Sequence, residues 1–383
     1  MMRPAARAAL LVALCLAAGG AAAQPQPSHF PDAGPAADAR RLKVETVAEG
    51  LEHPWGLALL PDGRMLVTER PGRLRLIGRD GKLSEPLAGV PEVRAQGQGG
   101  LLDVALDPDF ASNRTVYLSY AEAGEGGSGT AVARAVLGAQ GLSDVKVIFR
   151  QVPKVSGGNH FGSRLVFDRA GHLFVTLGDR YAQRERAQDL SSTIGKIVRI
   201  RRDGSVPPDN PFVNRQGARP EIWSYGHRNI QAAALDPATG QLWTAEHGAR
   251  GGDEINQPQA GRNHGWPVIT YGVDYSGAKI GSGTAAPGME QPVHYFDPSI
   301  APSGLVFYTG DAFPEWKGHL LVGSLKFTHL ARLELRNGRV VSEQRYLQEL
   351  GERIRDVEQG PEGFVYLLTD SPRGKVLRLR PAK

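Results

Sequence analysis

The chain has 383 residues, room for one large domain or two ordinary ones, with a formal net charge of +5, 48 glycines, 27 prolines and a single cysteine. Basic and acidic residues are interleaved, without basic blocks or an aromatic-basic pattern, so no nucleic-acid partner is expected. The lone thiol, Cys15, leaves no disulfide framework to consider.

Residues 1–23 read as a secretory signal peptide: Arg3 and Arg7, an apolar run from Ala8 to Ala18, then Ala21-Ala22-Ala23 before Gln24. That run is too short to span a bilayer, and Leu14 before Cys15 is too large for the usual lipid-attachment site. Cleavage would remove Cys15 and lower the charge by two. The expected destination is periplasmic or secreted. No later apolar run reaches membrane-spanning length, so membrane insertion is not expected. Residues 24–40, rich in Pro, Ala, Asp and Ser, read as a flexible leader, and residues 41–383 as one domain.

Within that domain one module recurs six times, a turn followed by a short apolar strand that stops at small or polar residues. The copies are "PDGRMLVTER" at 61, "DPDFASNRTVYLSY" at 107, "DRAGHLFVTLGD" at 168, "DPATGQLWTAEHG" at 236, "PEWKGHLLVGSLK" at 314 and "GPEGFVYLLTD" at 360. The closest spacings, about 45 residues, match one four-stranded propeller blade. The predicted fold is therefore all-β, a six-bladed β-propeller of four-stranded antiparallel blades, with a β-sandwich as the competing arrangement. "RLKVETVAEG" near the start and "GKVLRLRP" at the end would share one blade and latch the ring.

A propeller decides nothing about chemistry. The unusual residues crowd into the longest gaps between modules and the adjoining strand ends. In "SGGNHFGSRLVFD", His160 stands among glycines that leave room for a substrate, and imidazole is a suitable proton acceptor near neutral pH. "YGHRN" offers the planar cation of Arg228 and the amide of Asn229. In "AEHGARGGDEINQPQAGRNHGWP", Gly248, Gly251 and Gly252 free main-chain carbonyls while Asp253 and Glu254 add carboxylates, which suits calcium or else a solvated acidic turn. Zinc is not suggested, because His227, His247 and His264 lack ligand spacing. Lys326 ends a strand, and Arg353 and Arg355 lie two apart, facing the same way; two guanidiniums so placed call for an anion nearby.

In order along the chain, "GQGGLLDVALDPDF", "GNHFGSRLVF", "YGHRN", "EHGARGGDEIN", "NHGWP", "GSLK" and "RIRDV" resemble the soluble aldose sugar dehydrogenases of the pyrroloquinoline quinone (PQQ) family, related to soluble quinoprotein glucose dehydrogenase. The resemblance covers residues from about 41 to the C-terminus. It implies a tricarboxylate quinone contacted by Gln98, Arg228, Asn229, Lys326, Arg353 and Arg355, with Tyr275 as a further contact. It implies one calcium on the main-chain carbonyls of Gly248 and Ala249, and a structural calcium on the Glu254 carboxylate and the His264 carbonyl. His160 takes the general-base position, for oxidation of an aldose at C1 to an aldonolactone and onward electron transfer to an external acceptor.

The chain departs from the family pattern in four places. Ile230 and Ala232 stand where Arg-Asn-Pro-Gln-Gly is common, Ala249 replaces proline, His264 replaces tyrosine, and Asn159 replaces an aspartate beside the base. A calcium-dependent propeller lactonase and a non-catalytic sugar- or protein-binding propeller are the competing functions, and both would leave the basic residues unexplained. Monomer and homodimer are equally compatible with the sequence.

Overall fold

The structure, a computed structural model, describes residues 24–382; the expected signal peptide lies outside them. Every repeat module becomes the second strand of a sheet. In the first, Asp62 accepts from the Arg64 amide at 3.1 Å and Gly63 takes φ +83°, closing the turn before Met65–Glu69. Such strands are buried on both faces, which is why they read as unbroken apolar runs rather than alternating ones.

The six sheets follow one another along the chain, every pairing antiparallel. Blade one holds Pro54–Leu59, Met65–Glu69 and Arg73–Ile77, and blade two holds Leu101–Leu106, Thr115–Gly124, Gly127–Leu137 and Leu142–Arg150. Blade three holds Leu165–Phe167, Leu173–Thr176, Lys196–Ile200 and Ile222–Tyr225; blade four holds Ile230–Leu235, Leu242–Glu246, Asp253–Asn256 and His294–Phe296. Blade five holds Pro302–Phe307, Leu320–Ser324, Leu330–Arg336 and Arg339–Tyr346. Blade six joins Ile354–Gln359, Val365–Thr369 and Gly374–Pro381 to the N-terminal strand Leu42–Leu51, which is the expected latch. Only blade one lacks a regular fourth strand; Leu83 to Leu87 fill that place irregularly, with Ser84 and Leu87 amides bonding Leu76 and Leu74 carbonyls.

Apolar clusters occupy the interfaces between neighbouring blades, such as Leu66 with Leu118, Tyr117 with Val175 and Trp243 edge-on to Phe307 at 5.6 Å. At the axis the inner strands come so close that a side chain on Gly304 would meet the Val357 amide.

One buried guanidinium ties the centre together. Arg164, leading into blade three, pairs with Asp103 of blade two at 3.0 Å and Asp356 of blade six at 2.8 Å. It donates to carbonyls of Gln231 and Ser303 in blades four and five, and stacks 4.3 Å over Trp55 of blade one. Arg164→Met should cost roughly 3–5 kcal/mol of stability, because it strands two buried carboxylates. Chemical denaturation measures this; an unchanged midpoint would remove the axial role.

Residues of the leader make contacts with the ring. Ser28 bridges to His294, Pro35 to Arg345, His29 stacks on Tyr295 at 4.4 Å, and Ala36 is buried. These residues lie along the outer strands of blades four and five, whose unpaired edges they help cover.

Candidate functional site

Inner strands begin, and second strands end, on the same rim of the ring. Antiparallel pairing therefore delivers His160, Arg228 and Arg353, which precede inner strands, to the face where Asp179, Gly248, Lys326 and Asp370 follow second strands. The predicted residues are distant in sequence and share this rim because of strand direction.

His160 is buried and held by Asp179, with Nδ1 2.6 Å from Oδ1. Asp179 also accepts from the Tyr181 amide at 2.8 Å and from Trp266 Nε1 at 2.8 Å. Three donors onto one carboxylate fix it as an acceptor, so the imidazole proton sits on Nδ1 and Nε2 keeps its lone pair. Burial draws the imidazole below its usual pKa, the Asp179 hydrogen bond pulls back upward, and the charges of Arg228 and Arg180 push down again. The group stays neutral near pH 7 and is available as a base.

Orientation of the imidazole therefore comes from Asp179. Asn159, whose replacement of an aspartate was expected to matter for it, is exposed and contributes only its carbonyl, to Arg180.

His160 lines a cleft of about 230 Å³ together with Arg228, Tyr275, Ala249, Trp266 and Tyr181. Arg228 Nη2 lies 3.4 Å from the Tyr275 hydroxyl, and its main-chain amide is anchored by Glu246 at 2.6 Å. That anchor keeps the turn in place despite Ile230 and Ala232. Gln98 reaches the same place differently from expectation: its Oε1 accepts from the His160 amide at 2.8 Å. Asn229 is fully buried, bonds the Gly162 amide at 3.1 Å, and leaves Nδ2 without a protein partner.

Arg353 and Arg355 converge on Asp370, at 3.2 and 2.7 Å. The anion that their spacing called for is thus partly supplied by the protein, and His53 adds a bond to the same carboxylate at 3.0 Å. Lys326 is exposed and has no ion-pair partner among the described residues. Arg353 and Arg355 share that one carboxylate, whereas Arg228, like Lys326, forms no ion pair among the described residues. The half-buried His247 lies among these groups: desolvation draws its imidazole well below the usual pKa, and the charges of Arg228, His160 and Arg355 push the same way.

The calcium expectation meets a mixed picture. Among the described residues no three His, Cys, Asp or Glu side chains converge as a metal site, so an ion would depend on main-chain oxygens. The Gly248 carbonyl already accepts from Arg228 Nη1, as does that of His247 at 3.0 Å. Asp253 is spoken for by the amides of Gly248 and Ala301 at 2.7 Å each. It pins the loop and is not a free ligand, a correction to the sequence reading. Glu254 is the better candidate: burial and neighbouring Glu246 push its carboxyl up to about 8, and it accepts a bond from Asn256 Nδ2 at 3.1 Å. His264 stacks on His227 at 4.7 Å, and both its ring nitrogens are buried without protein partners. Glu254 and His264 line one small cavity with Glu246, Gly248 and Thr270. The buried Glu246 and half-buried Glu254 carboxylates there have the chemistry that a divalent cation would relieve.

A larger groove, about 500 Å³, lies elsewhere, among Gln257, Gln259, Gln291 and Arg339. It contains none of the convergent charges.

Six blades, with an Asp179-held imidazole and several basic side chains on one rim, define a propeller with a candidate active site. Residues 51–378 match the family model described as Glucose / Sorbosone dehydrogenase, and the chain belongs to that family of oxidoreductases acting on sugars. It is 49% identical to the aldose sugar dehydrogenase YliI of Escherichia coli K12 over 89% of this chain and 93% of that one. The apo crystal structure of the soluble aldose sugar dehydrogenase from E. coli superposes with a TM-score of 0.87, at 49% identity, covering 89% of this chain and all of that one. The PQQ-bound aldose sugar dehydrogenase of Streptomyces coelicolor superposes with a TM-score of 0.74, at 28% identity, covering 89% and 98%. Among the described residues no helix is long and apolar enough to cross a membrane.

Proposed function

We propose that the protein oxidises aldose sugars at C1 to aldonolactones, with PQQ as oxidant, calcium as its companion ion and an external acceptor for the electrons. The observation carrying this reading is the Asp179-held imidazole of His160 opening on a cleft shared with Arg228, on the rim that also carries Lys326, Arg353 and Arg355. Lys326, Arg353 and Arg355 suit the carboxylates of PQQ, with Gln98, Asn229 and Tyr275 around the ring system; the orphaned Asn229 Nδ2 and Arg355 Nε support the fit.

Calcium would be held by the carbonyls of Gly248 and Ala249, where it would exchange with the Arg228 bond to Gly248. A structural calcium would use the Glu254 carboxylate and the His264 carbonyl. When bound, PQQ supplies a two-electron acceptor for the hydride leaving C1. His160 Nε2 takes the C1 hydroxyl proton as the C1–O double bond forms, and Asp179 stabilises the resulting imidazolium. Arg228, fixed beforehand by Glu246, offers a cation to negative charge developing across the cleft.

Purified protein loaded with PQQ and calcium should reduce an artificial dye when glucose or another aldose is added. Folded protein that binds PQQ and reduces no dye with any aldose would discard this reading. Export directed by residues 1–23 belongs to the same proposal, and N-terminal sequencing of the mature protein beginning at Gln24 would test it.

A further inference from the structure

Beside the base lies a buried cation with no carboxylate in contact. Arg180 is 1% exposed, and its donors reach only uncharged oxygens. Nε bonds the Asn159 carbonyl at 2.9 Å, Nη1 the Ser128 carbonyl at 2.6 Å, and Nη2 the Gly157 carbonyl at 2.6 Å and Ser128 Oγ at 3.4 Å. Its guanidinium lies 3.8 Å over the Phe161 ring. Burying a charge without a counter-ion is unfavourable, so a neutral side chain of similar volume would serve stability at least as well.

The partners show what is gained. Gly157 and Asn159 precede His160 and Phe161 follows it, so one rigid fork grips the base loop on both sides. Ser128 fixes that fork to the third strand of blade two. The grip acts where the backbone is least favourable: His160, Arg180 and Tyr181 have φ of +53°, +56° and +62°. Non-glycine residues stay in that region only when the surroundings impose it.

We propose that Arg180 is the positioning residue of the base: its fork clamps residues 157–161 so that His160 faces the cleft, and its charge stands beside the Asp179–His160 pair. The inference rests on His160 being the base. Several charged or titratable groups face that imidazole. Asp179 and Tyr181 come from the segment carrying Arg180, Arg228 and His247 come from blade four, and Arg184 and Asp274 close the cleft mouth. Of these, Arg228 and Arg180 hold the imidazole down and Asp179 holds it up. Lysine cannot replace the clamp, because a single ammonium is a point donor on a flexible stem.

Arg180→Lys and Arg180→Gln test this by steady-state kinetics and PQQ titration. Isotope-labelled histidine NMR of the cofactor-free protein, with the His160 resonance assigned by its loss in His160→Asn, reads the imidazole directly. In Arg180→Lys, kcat should fall roughly 10–10²-fold through misplacement of the base, with KM and PQQ affinity unchanged and the imidazole titrating near its wild-type pH. In Arg180→Gln the His160 titration should move to higher pH, and the acid limb of kcat/KM should follow it. Wild-type kcat in Arg180→Lys, or an unmoved His160 titration in folded Arg180→Gln, would overturn the inference. If Arg180→Gln does not fold, Arg180→Lys decides alone. Wild-type protein that oxidises no aldose would remove the assigned reaction, whereas an active wild type with insensitive variants would remove only the clamp.

Discussion

Replacing His160 with asparagine is expected to lower kcat for aldose oxidation by about 10²–10⁴-fold, the usual worth of a positioned general base, with PQQ affinity at its wild-type value. Asparagine is the informative choice because it tolerates the φ of +53° found here, so loss of the base is not confounded by loop strain. Alanine at the same position should behave alike, with some added cost in stability. Steady-state kinetics beside a PQQ titration separate the effects. An asparagine variant that retains wild-type kcat would remove His160 from the reaction.

Asp179→Asn is expected to be nearly as severe, lowering kcat by roughly 10²–10⁴-fold. The carboxylate accepts from His160 Nδ1 and Trp266 Nε1, and an amide in its place can turn a donor toward Nδ1. The imidazole proton then shifts to Nε2, the atom that should receive the substrate proton. The pH dependence adds a sign. Asp179 is the group that raises the His160 pKa against burial and the Arg228 and Arg180 charges. Its loss moves the acid limb of kcat/KM to lower pH, opposite to the shift expected for Arg180→Gln. A variant with the wild-type acid limb and an undiminished plateau would show that Asp179 does not hold the base.

Much of the architecture could be read beforehand because a propeller repeats its local physics. Each second strand is packed on both faces, so each wrote the same turn-plus-apolar-run into the chain, and the six copies are the six second strands. The closing strand pair was legible for a similar reason: two apolar strands at opposite ends had no other partner. The leader's contacts were not legible beforehand because its composition is that of a loose segment, and the sheet edges it lies against exist only in the assembled ring.

At the site, the residues proposed for the chemistry stood out in the sequence, and the side chains that hold them did not. His160 and Arg228 stood out by type and setting, but Asp179 and Asp370 looked like ordinary strand-terminating polar residues. A comparison across repeats would have exposed them. Glu69, Asp179, Glu246 and Asp370 all fall at or just past the end of a second strand, and each holds a basic group. Arg180 had no such trace. Its partners are mostly main-chain oxygens, which leave no residue type behind in the sequence.

The proposal that one rim joins a PQQ site to a histidine base meets its sharpest test in a single anaerobic turnover. Protein loaded with calcium and stoichiometric PQQ is mixed with excess aldose, and the cofactor absorbance is followed without any acceptor. The account predicts full reduction of bound PQQ in the wild type, and reduction slower by about 10²–10⁴-fold in His160→Asn with the same amount bound. Equal rates in the two proteins, or a wild type that binds no PQQ, would contradict it.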